Sequence, residues 1–334
     1  MTDFQLSIVI IAKNEEKNIG RCIASAIEAS KDIQNTEIIL VDSLSQDNTI
    51  KIAKRYPIKI FQLLPGQRIT SWSARFAGTI CAQGDLIQFL DGDMVIHKNW
   101  FAQALPYLST NEKIAGVFGF LNEIYVADNH IIGRVDNILQ INAKVVENPR
   151  LMGGAILVKK KILDKIGTFN PFLYGDGEAE LCYRIGLDGF KILAIAAEMA
   201  DHYSNHRYSW SDIKRRCKSN LYIGFGQVLR YHYKKPTVYK LLIRRRQYFP
   251  PLVFFLFGVP MGIIYFYNRS FLPLLVWVLL FNFYFLILVL RYKSFKEAVF
   301  NIISKALYSY GMIRGFFLKP FQPSCYPKRF NQIN

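Results

Sequence analysis

Apolar positions in the first ninety residues form short unbroken runs with helically spaced ones between them. LSIVII, Leu6 to Ile11, is a β-branched run of the kind buried in a parallel sheet, and it stops at the polar AKNEE. Ile19, Cys22, Ile23, Ala26 and Ile27 then recur on one helix face. EIILVD repeats the strand pattern and ends at Asp42, and SLSQDNTIKIAKRY brings Ser/Asp capping signals ahead of a short helix. IKIFQL predicts a third strand, SWSARFAGTICAQ a helix and DLIQFL a fourth strand. Strands alternating with helices predict an α/β fold with a parallel sheet covered on both faces and ligands at the strands' C-terminal ends.

From about Lys113 to Ile192 the pattern mixes, with IAGVFGFLNEIYV, the glycine turn LMGGAILV and the acidic cluster GDGEAELCYRIGLDGFKI. Beyond Asp201 it changes again. A basic stretch, WSDIKRRCKSNLYIGFGQVLRYHYKKPTVYKLLIRRRQ, leads into two uncharged apolar segments, Tyr248 to Tyr267 and Phe271 to Leu290. Each is about 20 residues, the length that crosses a bilayer core. Only Asn268, Arg269 and Ser270 lie between them, which predicts a tight helical hairpin. Arg244, Arg245 and Arg246 precede the pair and Arg291, Lys293 and Lys296 follow it, so both ends are expected in the cytosol. Pro250, Pro251 and Pro260 weaken the first span, and two buried core helices are the competing expectation. Phe295 to Phe321 mixes spaced apolar residues with lysines, as an interfacial helix or a helix packed on a soluble domain would, and Gly311 and Gly315 argue against one continuous helix.

Composition narrows the class. Half of the 334 residues are apolar and the net charge is +17, a pairing that suggests a membrane rather than disorder. Nucleic-acid binding through the basic stretch is not expected, because those charges flank the spans. Cys22, Cys81, Cys182, Cys217 and Cys325 are odd in number and have no CxxC spacing, which fits a reducing compartment. MTDFQLSIVIIAKNEE has no basic n-region and too short an apolar run to predict a signal peptide.

The chemistry begins at QFLDGDMVIH. Lone buried carboxylates are costly, yet Asp91 and Asp93 close an interior strand. At a strand end, residues i and i+2 point to one side, so the pair would present two carboxylates to a hard cation such as Mg²⁺ or Mn²⁺. DGD is also a good turn sequence, and alone it favours a turn.

Taken in order and spacing, SIVIIAKNEEKNI, EIILVDSLSQDNT, SARFAGTICAQGDLIQFLDGDM and GEAELCYRIGLDGFKI resemble family 2 glycosyltransferases of GT-A fold, over about residues 5 to 206. The resemblance implies a Rossmann-like nucleotide-diphospho-sugar transferase domain over 1–206. The remaining pattern then gives basic juxtamembrane helices over 207–247, two transmembrane helices over 248–291 and an amphipathic cytosolic tail over 292–334. By the same resemblance Ala12, Asn14, Glu15 and Asp42 line the nucleoside pocket, Asp91 meets ribose or metal, and Asp93 holds the cation bridging the diphosphate. Arg75 is implied to reach the phosphates. Ala12 stands where the family often has proline, Ser43 where a second acid is common, and Phe76 where asparagine usually follows the arginine, departures that bear on the nucleotide more than on the reaction.

GEAELCYR is similar to the family's E-D-x-D-L-x-x-R segment, with Leu181 and Arg184 in register. This implies Glu178 as catalytic base, with Asp176 as the alternative, and Glu180 as the later acid. The bland outcome is a helix with both glutamates solvated and Arg184 paired with Glu180 at i+4. MADHYSNHR offers His202, or His206, as a further metal ligand. QVLRY is similar to the Q-x-x-R-W motif of processive members, which would bring Gln227 and Arg230 to the acceptor or diphosphate, where Gly154 of the glycine turn and Glu180 are also expected. Arg230 snorkelling from an interfacial helix is the other outcome. Together these imply an inverting transferase at the inner (plasma) membrane, its catalytic domain and both termini cytosolic, taking a nucleotide-diphosphate sugar donor and a lipid-linked acceptor. A polyprenyl-phosphate sugar synthase and a non-catalytic membrane scaffold are the alternatives, and self-association is left open.

Overall fold

The computed structural model describes residues 6–127, 130–149, 153–204 and 210–333. They divide into two units, one formed by Met1–His206 with Phe321–Asn334 and the other by Arg207–Pro320. Nineteen lysines and arginines against only Asp212 and Glu297 lie within Arg207–Pro320, which leaves 23 basic and 23 acidic residues for the first unit. The whole net charge of +17 therefore belongs to the second unit.

The first unit starts with β1 (Leu6–Ala12), all seven of whose residues are buried. Then come α1 (Ile19–Ser30), β2 (Thr36–Asp42), α2 (Thr49–Ala53), β3 (Lys59–Gln62), α3 (Ser71–Cys81) and β4 (Leu86–Asp91). These follow the predicted alternation to within a residue or two at most boundaries. β1 lies parallel to both β2 and β4, and β2 parallel to β3. Helix α3 begins with a capping box, Thr70 accepting from the Ser73 amide while the Ser73 hydroxyl side chain serves the Thr70 amide.

The mixed region supplies β5 (Met94–Ile96), α4 (Trp100–Thr110), β6 (Ile114–Ala127), β7 (His130–Val135), β8 (Val145–Glu147), β9 (Ile156–Lys159), α5 (Lys160–Ile166), α6 (Gly177–Leu187) and β10 (Lys191–Ser204). Here the sheet stops being parallel. β9 runs antiparallel to both β4 and β6, while β10 is parallel to β6 and antiparallel to β5. The strand order is β3-β2-β1-β4-β9-β6-β10-β5, with β7 beside β6 and β8 beside β10.

One more strand, β11 (Asn331–Gln332), pairs antiparallel with the outer edge of β3. The stretch 292–334, expected as one tail, therefore divides at Phe321. The cause is Tyr326, only 2% exposed, whose ring meets Phe76 and Phe172 edge-on and whose hydroxyl donates to the Arg68 carbonyl at 2.8 Å. A tyrosine buried with its hydroxyl satisfied is a strong anchor.

The second unit is helical, with α7 (Trp210–Lys218), α8 (Gly224–His232), α9 (Tyr239–Arg244), α10 (Pro250–Asn268), α11 (Leu272–Tyr292) and α12 (Phe295–Phe316). Helices α10 and α11 are long and apolar enough to cross a membrane, no residue of α10 is buried, and only Leu288 of α11 is. Uncovered side chains are not those of a soluble core. Arg269, with φ of 52°, turns the chain between the two helices, and Trp277 donates its indole N–H to the Phe254 carbonyl at 2.8 Å. Helix α12 is continuous, contrary to the expectation drawn from Gly311 and Gly315. A β-carbon on Gly311 would stand 2.3 Å from the Tyr222 carbonyl oxygen and one on Gly315 2.1 Å from that of Ile223, so these glycines serve close packing rather than a break.

Candidate active site

Register places the strand-end residues in a row. Ala12 lies opposite Asp42, and Ile11 opposite Asp91. The segments after β1 and β2 are then laced together. Asn14, in the left-handed region at φ 57°, donates its amide to the Ser45 hydroxyl and accepts from the Gln46 amide with its side chain, both at 2.8 Å. Glu15 donates its amide to Thr49 Oγ1 at 2.7 Å. Asp42 is wholly buried; its Oδ2 accepts from the Ser45 amide and from Gln62 Nε2, each at 2.9 Å. Its Oδ1 has no hydrogen-bond partner among the described residues. A buried acceptor left open is expensive, and a nucleoside donor would satisfy it.

Gly92, between the two aspartates, presses the turn onto this floor. A β-carbon there would meet Ala12 Cβ at 3.0 Å and Glu15 Cγ at 3.3 Å. Burial and the neighbouring Asp93 charge push the Glu15 carboxyl up to about 7, against the pull of its hydrogen bond from Asn18. The two aspartates turn to different partners. Asp91 Oδ1 accepts from Arg75 Nη2 at 2.6 Å, and the same nitrogen donates to the Gly154 carbonyl at 2.9 Å. Burial, helped by the charge of Asp93, raises the Asp91 pKa despite Arg75. Arg75 is itself 2% exposed and lies over the Trp72 ring, so it supports Asp91 from within rather than standing as an open arm.

Gly154 is where separate segments converge. At φ 81° it occupies a conformation that suits glycine, and a β-carbon on it would lie 3.0 Å from Arg75 Nη2, 3.2 Å from Asp91 Oδ2 and 3.2 Å from Glu178 Oε1. Four predicted residues thus meet around one point. Glu178 sits in the first turn of α6, half-buried, behind Asp176 in the left-handed region at φ 58°. Glu180 behaves differently. It is fully buried and pairs bidentately with Arg184 at 2.7 and 2.8 Å, while Arg184 also donates to the Ile166 and Thr168 carbonyls. The pairing at i+4 is present, but inside the protein rather than solvated.

Asp93 faces His202. Its Oδ2 lies 3.2 Å from His202 Nε2, and its buried Oδ1 has no hydrogen-bond partner among the described residues. His202 Nδ1 lies 3.2 Å from Glu123 Oε2. Burial opposes the imidazolium, but its hydrogen bonds to Asp93 and Glu123 and their charges prevail and raise its pKa to about 10. Among the described residues no group of three or more His, Cys, Asp and Glu side chains is set to hold a metal ion. The residues nonetheless fit one as a partial site, because the open Asp93 Oδ1 and the imidazole would supply two ligands, and magnesium-type cations take the rest from substrate phosphates. His206 lies outside the described residues. Gln227 and Arg230 stand on α8 of the second unit, where Arg230 lies 4.9 Å from the Tyr233 ring centre and 5.7 Å from that of Phe316.

Sequence reasoning missed Gln62 and Glu123. Gln62 carries a signal, a polar side chain ending a strand, whereas Glu123 is a single acid inside an apolar run, which pattern alone does not distinguish from an edge position.

The family model described as Glycosyl transferase family 2 matches residues 7–167. Glycosyltransferase AglE of Haloferax volcanii is 23% identical over 193 residues, 56% of this chain and 63% of that protein. A putative polypeptide N-acetylgalactosaminyltransferase 13 of Drosophila melanogaster is 25% identical over 238 residues, 61% of this chain and 42% of that protein. The chain thus spans less than two thirds of either relative. Among solved structures, a mannosyltransferase from Pyrobaculum calidifontis in complex with GDP-mannose and Mn²⁺ aligns over 94% of this chain and 87% of its own, at 15% identity and a TM-score of 0.60, a likeness of fold. Residues 7–167 therefore carry the sequence pattern of glycosyl transferase family 2, on a sheet of GT-A fold.

Proposed function

We propose that this protein moves a sugar, with inversion, from a nucleotide-diphosphate sugar to a hydroxyl of a lipid-linked or glycolipid acceptor at the cytosolic face of the inner membrane. The observation that carries the proposal is the meeting of Arg75, Asp91 and Glu178 around Gly154, within the same sheet that sets Asp93 beside His202.

A sugar hydroxyl is a poor nucleophile until its proton is taken. Glu178 Oε1 accepts that proton as the oxygen attacks the anomeric carbon, and the bond to the nucleoside diphosphate breaks on the opposite face. Asp42 Oδ1 takes a donor from the base or ribose, within a floor built by Ala12, Asn14 and Glu15. Arg75 holds Asp91 in place. Asp93 and His202 would hold Mg²⁺ or Mn²⁺, and the bound cation would neutralise the charge that develops on the leaving diphosphate. The Mn²⁺ and GDP-mannose bound by the Pyrobaculum mannosyltransferase support a divalent cation and a nucleotide sugar here.

The acceptor class follows from the second unit. Helices α10 and α11 read as membrane spans, and Arg244, Arg245 and Arg246 on one side with Arg291, Lys293 and Lys296 on the other support a reading with both ends in the cytosol. Anchoring raises the local concentration of acceptors that lie in the same membrane.

Membranes containing the protein, supplied with radiolabelled UDP-, GDP- and dTDP-sugars, test this. Label is expected in organic-extractable lipid from one donor class, and it is expected to vanish with chelator, in Asp93→Ala and in Glu178→Gln. Label that survives in Glu178→Gln would point to a phosphate nucleophile, which needs no base, and so to a polyprenyl-phosphate acceptor. No label from any donor, beside nucleotide binding that persists in Asp93→Ala, would overturn the proposal in favour of a scaffold.

A further inference from the structure

A carboxylate outside the predicted set stands directly behind the imidazole. Glu123 on β6 is completely buried, and register sets it opposite His202 on β10, which in turn lies opposite Met94 of β5, the residue after Asp93. Glu123 and His202 on two adjacent strands and Asp93 in the turn that enters β5 therefore form a line, with 3.2 Å from Glu123 Oε2 to His202 Nδ1 and 3.2 Å from His202 Nε2 to Asp93 Oδ2. The second Glu123 oxygen accepts from the Ser204 hydroxyl, two residues beyond His202 on the same strand. Burying a carboxylate is costly unless it is bound, and this one is bound to the histidine and to its strand.

We infer that Glu123 is a positioning residue, which fixes the ring of His202 by engaging Nδ1, so that Nε2 is the nitrogen presented to a cation beside Asp93. This rests on the proposed function, which makes Asp93 and His202 the protein's share of a divalent-cation site. An imidazole offers a metal only one nitrogen at a time, and the hydrogen bond made by the other nitrogen decides which. A carboxylate behind the ring also raises the basicity of the ligating nitrogen, and removing such a partner typically weakens metal binding about 10- to 100-fold. Glu123 and His202 are held by the pairing of β6 with β10. Ser204 has the complementary part of holding Glu123 from its other oxygen.

The test is Mn²⁺ binding by the full chain in detergent or nanodiscs, followed by loss of the free-ion electron paramagnetic resonance signal, with and without UDP or GDP. The electron spin-echo modulation of bound Mn²⁺ reports in addition whether an imidazole nitrogen is coordinated. Wild type is expected to bind with that nitrogen signature, and His202→Ala to lose it. Glu123→Gln, which keeps size and reach, is expected to weaken binding about 10- to 100-fold and to diminish the signature. The double variant is expected to bind no more weakly than His202→Ala alone, because Glu123 acts only through the ring. Glu123→Asp, which keeps the charge but draws it back, carries the same test where Glu123→Gln does not fold.

Glu123→Gln binding within twofold of wild type, or losses that add in the double variant, would overturn the inference and leave the proposed function standing. Wild type that binds Mn²⁺ without a nitrogen signature would do the same. Wild type that binds no Mn²⁺ with either nucleotide would overturn the cation site and this inference together.

Discussion

The two units use apolar residues in opposite ways. In the first, β1 buries all seven of its residues beneath covering helices, and charge is balanced at 23 of each sign. In the second, α11 buries one of 21 residues, Phe255, Leu272 and Leu290 are 66, 67 and 68% exposed, and nineteen cationic side chains face two acids. The difference teaches that apolar content alone does not say what an apolar run is for. A run of six or seven residues with polar ends becomes a strand that other parts of the chain cover. A run of twenty with arginines at its margins is long enough to cross a membrane, and the rest of the chain leaves its side chains uncovered.

The sharpest way to break this comparison is to find chemistry that does not depend on the balanced unit. Asp93→Ala is expected to lower transfer roughly a thousandfold, the several kcal/mol that a bound cation supplies, as read by label incorporation at saturating Mn²⁺. Glu178→Gln is expected to lower kcat roughly a hundredfold or more with KM little changed, since the base acts only as the proton leaves. An equal rise in KM would mean that Glu178 binds substrate instead.

Sharpening the other side takes a charge in the middle of a span. Leu280→Arg on α11 is expected to cost about 3 kcal/mol of membrane insertion and to move protein into the soluble or aggregated fraction. Full insertion would argue for a helix covered by protein. Gly315→Ala is milder, because its β-carbon would stand 2.1 Å from the Ile223 carbonyl and force α12 away. It is expected to cost about 2 kcal/mol, seen as faster hydrogen exchange along α12.

The smallest effect is a pH dependence in the balanced unit. Asp201, whose Oδ1 lies 3.3 Å from His97 Nε2, raises the His97 pKa with help from the Glu198 charge and against burial and Arg134. The imidazolium's contribution is complete below the ordinary histidine value near 6.5, where folded and unfolded chains both carry the proton, and it is lost as pH rises through the higher folded value. His97→Gln is therefore expected to lower the unfolding temperature of chelated protein by about 2 °C at pH 6 and to converge on wild type in alkaline buffer.

The comparison also explains what could be read beforehand. β1 to β4 were legible because each is an unbroken apolar run ending at a polar residue, and covered parallel strands require that pattern. Asp42 and Asp91 were legible as acids closing such runs and Asp93 as the acid in the turn beyond, while the roles expected of them came from the resemblance. The mixed half was not. β9 and β10 owe their directions to antiparallel partners far along the chain, which local periodicity does not encode. Glu123 looks like any isolated acid until β10 lies beside it, and the interior pairing of Glu180 with Arg184 is invisible at the spacing that also describes a solvated helix face. Gly311 and Gly315 were legible as glycines but not as contacts, because their meaning depends on the Tyr222 and Ile223 carbonyls that approach them.

The pairing of β11 with β3 has a consequence in time. Tyr326 reaches back 258 residues to the Arg68 carbonyl, and Ile333 donates its amide to that of Ile60. A ribosome makes both long apolar helices before it makes the residues that finish the sheet. Until then β3 is an open edge, and open edges invite other strands. The nascent first unit must therefore stay soluble with its border unhemmed until Asn331 and Gln332 arrive, so the interval of synthesis between β3 and β11 is when this edge is most exposed to mispairing.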